Sequence, residues 1–129
     1  MKKNDKQAQL LFVDDNPESV AGLINKLENL NFSISVASDG QEAIELAQSL
    51  HPDIIMMDVF MPGMDGYETC RQLKLNENTS EIPVIFITAH ADKASMLRGF
   101  EVGGVDHVTK PLQYEELIAC INKHLTVQE

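Results

Sequence analysis

Residues 54–66, IIMMDVFMPGMDG, constrain the fold of this chain more than any other stretch. The first four side chains are large and apolar, which is typical of a short strand buried on both faces of a sheet. Asp58 follows at once, and a Pro-Gly turn then ends the strand. Because a carboxylate at the end of a buried strand is costly unless it is paired, the sequence predicts partners for Asp58 elsewhere in the chain.

Apolar strand-like runs and helix-like segments alternate five times, with short connections between them. This pattern predicts one α/β domain with a parallel sheet, covered by helices on both faces and joined by right-handed crossovers. The strand-like runs are residues 10–13, 32–36, 54–57, 83–87 and 105–108, and the helical segments lie within 16–30, 40–50, 67–75, 96–103 and 117–125.

Local signals predict where some helices begin and end. Asn16 is the expected N-cap of the first helix, with Pro17 at its first position. Ser38 and Gln41 resemble a capping box for the second helix, because they are three residues apart. The glycine pair at 103–104 is expected to end the fourth helix.

Length and charge narrow the class of protein. The chain has 129 residues and is expected to be a single domain, with its core at about 9–125, a lead-in at 1–8 and a tail or linker at 126–129. The net charge of -10 argues against binding to nucleic acid or anionic lipid. No apolar run reaches the roughly 20 residues of a membrane span, so a cytoplasmic protein is expected.

The cysteines and histidines give no metal or disulfide signal by their spacing. Cys70 and Cys120 lack CxxC spacing and are expected to behave as small buried apolar side chains. His51, His90 and His124 likewise show no spacing that suggests a metal site.

Polar residues follow four of the five strand-like runs. They are Asp14 and Asp15, Asp58, Thr88 and Lys110. Because the carboxyl ends of parallel strands meet at one edge of the sheet, these side chains are expected to converge there.

The converging groups match the needs of phosphoryl transfer. Three neighbouring carboxylates repel one another, and Mg²⁺, which prefers oxygen ligands, removes that conflict. Lys110 and Thr88 supply an ammonium group and a hydroxyl group for phosphoryl oxygens. Asp58 is then the candidate covalent acceptor. Motifs for dinucleotide or nucleoside triphosphate binding (GxGxxG, GxxxxGK[ST]) and the hydrolase motif GxSxG are absent from the sequence.

Four blocks in this order, VDD at 13–15, MDVFMPGMDG at 57–66, ITA at 87–89 and TKP at 109–111, resemble a response-regulator receiver domain. The resemblance covers about residues 9–125. It implies a flavodoxin-like doubly wound fold: a five-stranded parallel sheet in order 2-1-3-4-5, flanked by five helices. It also implies a signalling switch that catalyses only its own phosphorylation and dephosphorylation, and therefore no enzyme in the usual sense.

The resemblance assigns roles to the residues at the sheet edge. Asp58 is the phosphoacceptor, and Asp15 and Asp58 ligate Mg²⁺ (or Mn²⁺) directly. Asp14 ligates through water, and the backbone carbonyl of Phe60 completes the protein ligands. Lys110 contacts the phosphoryl group and is expected to form a cis peptide bond with the following proline.

The resemblance also implies partners and a conformational response. The phosphodonor is a phosphohistidine on a histidine kinase or phosphotransfer protein. Thr88, which also contacts the phosphoryl group, and the residue at 107 then move together and change the face made by the fourth helix, fifth strand and fifth helix. That face regulates a partner or a fused output domain, and it allows a homodimer.

Position 107 departs from the family pattern, which has Tyr or Phe there. His107 is smaller and can titrate near neutral pH, so the response is expected to depend on pH between about 6 and 8. Phe60 and His90, each two residues beyond a site residue, occupy positions that tune dephosphorylation, and the bulk of Phe60 predicts slow hydrolysis.

Other interpretations stay open for each feature. Taken singly, Asp14-Asp15 suits a helix-cap turn, Asp58 a turn, Thr88 a strand end and Lys110 a solvated charge. One rival function is a phosphorylation-independent interaction module. Another is an aspartyl-phosphate phosphatase of the haloacid-dehalogenase type, which would need a second Asp at position 60.

Overall fold

Strand β3, Ile54–Asp58, is the central strand of a five-stranded parallel sheet in the computed structural model, which describes residues 7–89 and 92–125. The strand order is β2-β1-β3-β4-β5, as expected. The other strands are β1 Ala8–Val13, β2 Phe32–Ala37, β4 Val84–Thr88 and β5 Asp106–Thr109.

In the described part of the chain, four helices connect the strands, a fifth follows β5, and together they cover the two faces of the sheet. They are α1 Ala21–Asn29, α2 Gly40–Leu50, α3 Gly66–Leu75, α4 Lys93–Glu101 and α5 Tyr114–His124, and a 3-10 turn at Pro17–Val20 precedes α1. Each parallel pair of strands needs such a crossover, which is why the alternating pattern predicted a parallel sheet, whereas the strand order was implied by the family resemblance. Within the described ranges, no helix is both long and apolar enough to span a bilayer.

The core has two halves, one on each face of the sheet. Leu11 and Val13 of β1 pack with α2 and α3, whereas Leu10 and Phe12 pack with α1 and α5. Successive residues of a strand point to opposite faces, so β1 contributes to both halves. All five residues of β3 are buried because both of its faces are covered.

Two of the predicted helix starts were wrong in detail. The carboxylate of Asp39, and not the hydroxyl of Ser38, caps α2 by accepting the N–H of Glu42 at 2.8 Å. Glu42 in turn accepts the N–H of Ser38, the residue before this cap, at 2.8 Å, so the N-cap lies one residue later than expected. Asn16 is an N-cap residue followed by Pro17 as predicted, but it makes no side-chain cap and begins the 3-10 turn, whereas α1 itself begins after Val20.

Candidate functional site

The predicted site residues lie at one edge of the sheet. Asp58 ends β3, Thr88 ends β4, and the pair Asp14-Asp15 directly follows β1. Lys110 follows β5, and its backbone N–H donates to the carbonyl of Thr88 at 2.8 Å. The structure therefore brings these five residues to the carboxyl ends of four neighbouring strands.

Asp14, Asp15 and Asp58 form the acidic cluster, in which one oxygen of each carboxylate lies within 4.8 Å of the others. Asp14 and Asp58 are buried, and Asp15 is exposed. Oδ1 of Asp14 accepts the N–H of Asn16 at 2.8 Å. Its Oδ2 is buried and has no hydrogen-bond partner among the described residues. A buried carboxylate oxygen without a donor, beside two other carboxylates, fits a hard cation such as Mg²⁺.

The surroundings of Asp58 shift the pKa of its carboxylate. Burial raises its pKa, and the nearby charge of Asp14 adds to that rise. Lys110 acts in the opposite direction, since its Nζ lies 3.4 Å from Oδ2 of Asp58, and the N–H of Phe60 also hydrogen-bonds the carboxylate. The rise in pKa means that the site disfavours the free anion and gains from a bound cation.

The turn after β3 returns the chain closely past Asp58. The N–H of Gly66 donates to the carbonyl of Val59 at 2.8 Å. A Cβ at Gly66 would collide with the backbone carbonyl oxygen of Asp58. Gly63 has a φ of 74°, a left-handed conformation that favours glycine. The two glycines thus let the turn close against the end of the strand.

The predicted switch residues share a small cavity. Thr88 and His107 both line it, together with Tyr67, Phe86 and Met96. Nδ1 of His107 is buried and makes no hydrogen bond within the described ranges. The coupling of these two residues to phosphorylation stays a prediction.

The remaining predicted residues are placed as follows. The side chain of Phe60 is 60% exposed beside the acidic cluster. The bond between Lys110 and Pro111 is cis, as the resemblance implied. His90 lies outside the described residues, so its predicted tuning role has no structural counterpart here.

One cluster of potential metal ligands was not predicted from the sequence. Asp106, Cys120 and His124 each place a potential ligand atom within 4.8 Å of the others. Cys120 and His124 are four residues apart on α5, and this spacing on one helix face was the available signal. Their partner on β5, Asp106, could not be inferred, because neither helix nor strand periodicity tells which strand residue faces a given helix residue.

The chain matches the family model described as "Response regulator receiver domain" over residues 10–122. Protein PilH of Pseudomonas aeruginosa is 36% identical over 115 residues, covering 89% of this chain and 95% of that protein. Response regulator PleD of Caulobacter vibrioides is 42% identical over 114 residues, which is 88% of this chain. This chain spans only 25% of PleD and 47% of the similar DNA-binding regulator RpaA of Synechocystis.

Solved structures agree with these matches. The chemotaxis protein CheY4 of Vibrio cholerae superposes with a TM-score of 0.88 at 27% identity, covering 93% of this chain and all of that one. A second structure is the receiver domain of the sensor histidine kinase PA1611 of Pseudomonas aeruginosa, with magnesium in its active-site cleft. It superposes with a TM-score of 0.84 at 28% identity, covering 93% of this chain and 98% of that one. Sheet order, site geometry and these matches lead to one conclusion: the chain belongs to the response-regulator receiver family, whose members act as phosphorylation-dependent signalling switches.

Proposed function

We propose that Asp58 accepts a phosphoryl group from a phosphohistidine donor in a Mg²⁺-dependent reaction. The observation that carries this proposal is the position of the Asp58 carboxylate. It is buried, lies within 4.8 Å of two other carboxylates, and has an ammonium group 3.4 Å away. Few structural roles need three acids and one lysine at the end of a buried strand, whereas phosphoryl transfer needs that set.

The residues that would hold Mg²⁺ are Asp14, Asp15 and Asp58, with the backbone carbonyl of Phe60. The unpartnered Oδ2 of Asp14 and the all-oxygen donor set fit this ion, and Mn²⁺ prefers the same ligands. When bound, the ion neutralises charge on the carboxylates and on the phosphoryl oxygens. The PA1611 receiver domain, described with magnesium in its cleft, supports this assignment.

In the transfer step, a carboxylate oxygen of Asp58 forms a bond to phosphorus as the phosphorus–nitrogen bond of the donor breaks. The electron pair of that bond stays on the departing imidazole. Lys110 would pair with the incoming phosphoryl oxygens, and the hydroxyl of Thr88 would donate to them. Phe60 and His90 are proposed to tune the later attack of water, with Phe60 slowing it.

The output of the switch is proposed to be the face of α4, β5 and α5. Leu97, Phe100 and Val105 on this side of the molecule are 55%, 49% and 39% exposed. Such exposed apolar groups suit a partner protein, an output domain on the same chain or a second copy. The movement of Thr88 and His107 within their shared cavity would link Asp58 to this face.

The rival functions receive less support. A phosphatase of the haloacid-dehalogenase type would need an acid where Phe60 stands. A phosphorylation-independent module would have no use for the acidic cluster and Lys110. The observed geometry therefore favours the phosphorylated switch.

The test is the intact mass of the protein after incubation with a small-molecule phosphodonor and Mg²⁺. We expect one phosphoryl adduct on the wild type and none on Asp58→Asn or on wild type in EDTA. Asp39→Asn is the matched control, because Asn caps a helix as well as Asp does, and it should carry the adduct. An adduct that survives Asp58→Asn contradicts the assignment of the acceptor. If the folded protein binds Mg²⁺ and carries no adduct, the phosphorylation-independent module replaces this proposal.

A further inference from the structure

A second group of potential metal ligands lies away from the acidic cluster. Asp106 is the first residue of β5, whereas Lys110 follows the last one, so the two are separated by about 13 Å along the strand. Cys120 and His124 lie on the last two turns of α5 and, four residues apart, share one face of that helix. The three side chains therefore meet at the opposite end of β5 from the phosphorylation site.

We propose that Asp106, Cys120 and His124 form a binding site for a borderline transition metal ion such as Zn²⁺. Nothing in the phosphorylation proposal requires this site. The two inferences can therefore fail separately.

The distances between the three ligand atoms are close to those that zinc requires. Normal zinc–ligand bonds in a tetrahedral site place sulfur about 3.6 Å and nitrogen about 3.4 Å from a carboxylate oxygen. Sγ of Cys120 already lies 3.6 Å from Oδ2 of Asp106. Nε2 of His124 lies 2.8 Å from the same oxygen, so that contact must open by about 0.6 Å to admit the ion.

The donor set selects the class of metal. One thiol, one imidazole and one carboxylate match the ligands of zinc, and a thiolate is a poor ligand for Mg²⁺. Three protein ligands leave a fourth position for water or for a donor from a partner. A surface groove lined by Thr109, Glu116 and Ala119 adjoins the cluster and provides access for the ion.

The surroundings hold the ligands in place without closing the site. Oδ1 of Asp106 accepts the N–H of His107 at 2.8 Å, which orients the carboxylate and leaves Oδ2 toward α5. The side chains of Asp106 and His124 are 22% and 18% exposed, so both are largely ordered by packing. Nζ of Lys123 lies 3.6 Å from Oδ2 of Asp106, but the Lys123 side chain is 70% exposed and can turn into solvent when a cation binds.

Binding must displace the thiol proton of Cys120 and must also clear Nε2 of His124, whose proton, donated to Asp106 in the metal-free protein, moves to Nδ1 or to the solvent. Burial, together with the negative charge of Asp106, raises the pKa of Cys120 to about 12, so the metal-free protein holds a thiol at neutral pH. A sulfur–metal bond then forms as the sulfur–hydrogen bond breaks, and the proton passes to the solvent.

The test is a titration of the full chain with Co²⁺ in the presence of excess Mg²⁺, which occupies the acidic cluster. We expect one equivalent to produce a thiolate-to-cobalt charge-transfer band and the visible bands of a tetrahedral site, and we expect Zn²⁺ to displace the Co²⁺. Cys120→Ser should lose the charge-transfer band, and His124→Gln should weaken Co²⁺ binding at least tenfold. Cys70→Ala is the control, because it removes the other thiol of the chain and should keep the band.

Circular dichroism separates loss of ligand from loss of fold, and His124→Gln keeps the proposal testable if Cys120→Ser does not fold. The absence of a charge-transfer band in the wild type overturns the proposal. The proposal is also overturned if the charge-transfer band survives in Cys120→Ser, or if His124→Gln binds Co²⁺ as tightly as the wild type. In those cases the cluster only fastens α5 to β5 through the Asp106–His124 hydrogen bond.

Discussion

Asp58 lies in an unfavourable environment for a carboxylate when no divalent ion is present. Its side chain is buried beside Asp14, and its pKa is raised by burial despite the pairing with Lys110. The native state therefore holds the Asp58 proton more tightly than the unfolded chain does. Stability is consequently lost as pH rises from the ordinary value of 3.8 through the native pKa.

From this it follows that Asp58→Asn should be more stable than the wild type at neutral pH in EDTA, by about 1 kcal/mol. The amide removes a buried charge without changing the shape of the side chain. Urea denaturation of both proteins measures the difference, and the exposed Asp39→Asn should stay within about 0.5 kcal/mol of the wild type. A less stable Asp58→Asn would show that the Lys110 pair outweighs the cost of burial.

Gly66 is required by the close approach of the turn to the end of β3. In Gly66→Ala, the new Cβ would meet the Asp58 carbonyl oxygen and would lie 2.9 Å from Cα of Val59, so backbone must move. We expect a loss of about 2 kcal/mol in the free energy of unfolding. Gly22→Ala in α1 is the matched control, because nothing lies within 4 Å of its Cβ position. That substitution should stabilise by about 0.5 kcal/mol, so equal effects at the two sites would refute the steric explanation.

Among the elements, helix α3 is tied to the chain before β4 by the side chain of Lys74, beside a hydrogen bond from Thr79 to the carbonyl of Leu73. Nζ of Lys74 donates to the carbonyls of Ser80 and Ile82 at 3.0 and 2.5 Å. Burial lowers the pKa of Lys74 below its usual 10.5. Between the native pKa and that value, the unfolded chain binds more protons than the native one, so this group adds stability as pH rises.

Lys74→Met should therefore lose about 2 kcal/mol at neutral pH, because two carbonyls lose a charged donor. The deficit relative to the wild type should widen as pH rises toward 10.5. Chemical denaturation at several pH values measures both effects. The exposed Lys93→Met is the control and should show neither of them, whereas a deficit that shrinks with pH would contradict the assigned direction.

The molecule as a whole carries a net charge of -10, and part of that charge is concentrated at one edge of the sheet. Mg²⁺ bound to the native state alone should raise the free energy of unfolding by about 2.7 kcal/mol at a concentration 100 times its Kd. NaCl at the same ionic strength screens the general repulsion and should have a smaller effect, because the two buried carboxylates of the cluster, Asp14 and Asp58, are poorly screened. Thermal unfolding in the two salts distinguishes the effects. If NaCl stabilised the protein as much as Mg²⁺ does, specific binding of Mg²⁺ to the native state would be refuted.

Several features of the site could be predicted from sequence because they follow from strand ends. The carboxyl ends of parallel strands share one edge, so Asp58, Thr88 and Lys110 had to approach one another once the strands were placed. The cap of α2 was misplaced by one residue, because Ser38 and Asp39 are both good caps and backbone conformation chooses between them. The single-domain boundaries and the cytoplasmic location stay predictions.

The sequence by itself determined the alternation of strands and helices, and with it the sheet and the edge that carries the acidic cluster. Periodicity of apolar residues and the handedness of crossovers leave few other arrangements. Only the tertiary structure decided which atoms lack partners and which distant side chains touch. The unpartnered Oδ2 of Asp14 and the cluster of Asp106, Cys120 and His124 are two features that only the tertiary structure shows. Their contacts depend on how α5 packs against β5 and on the path of the loop after β1, and no local pattern in the chain encodes those distances.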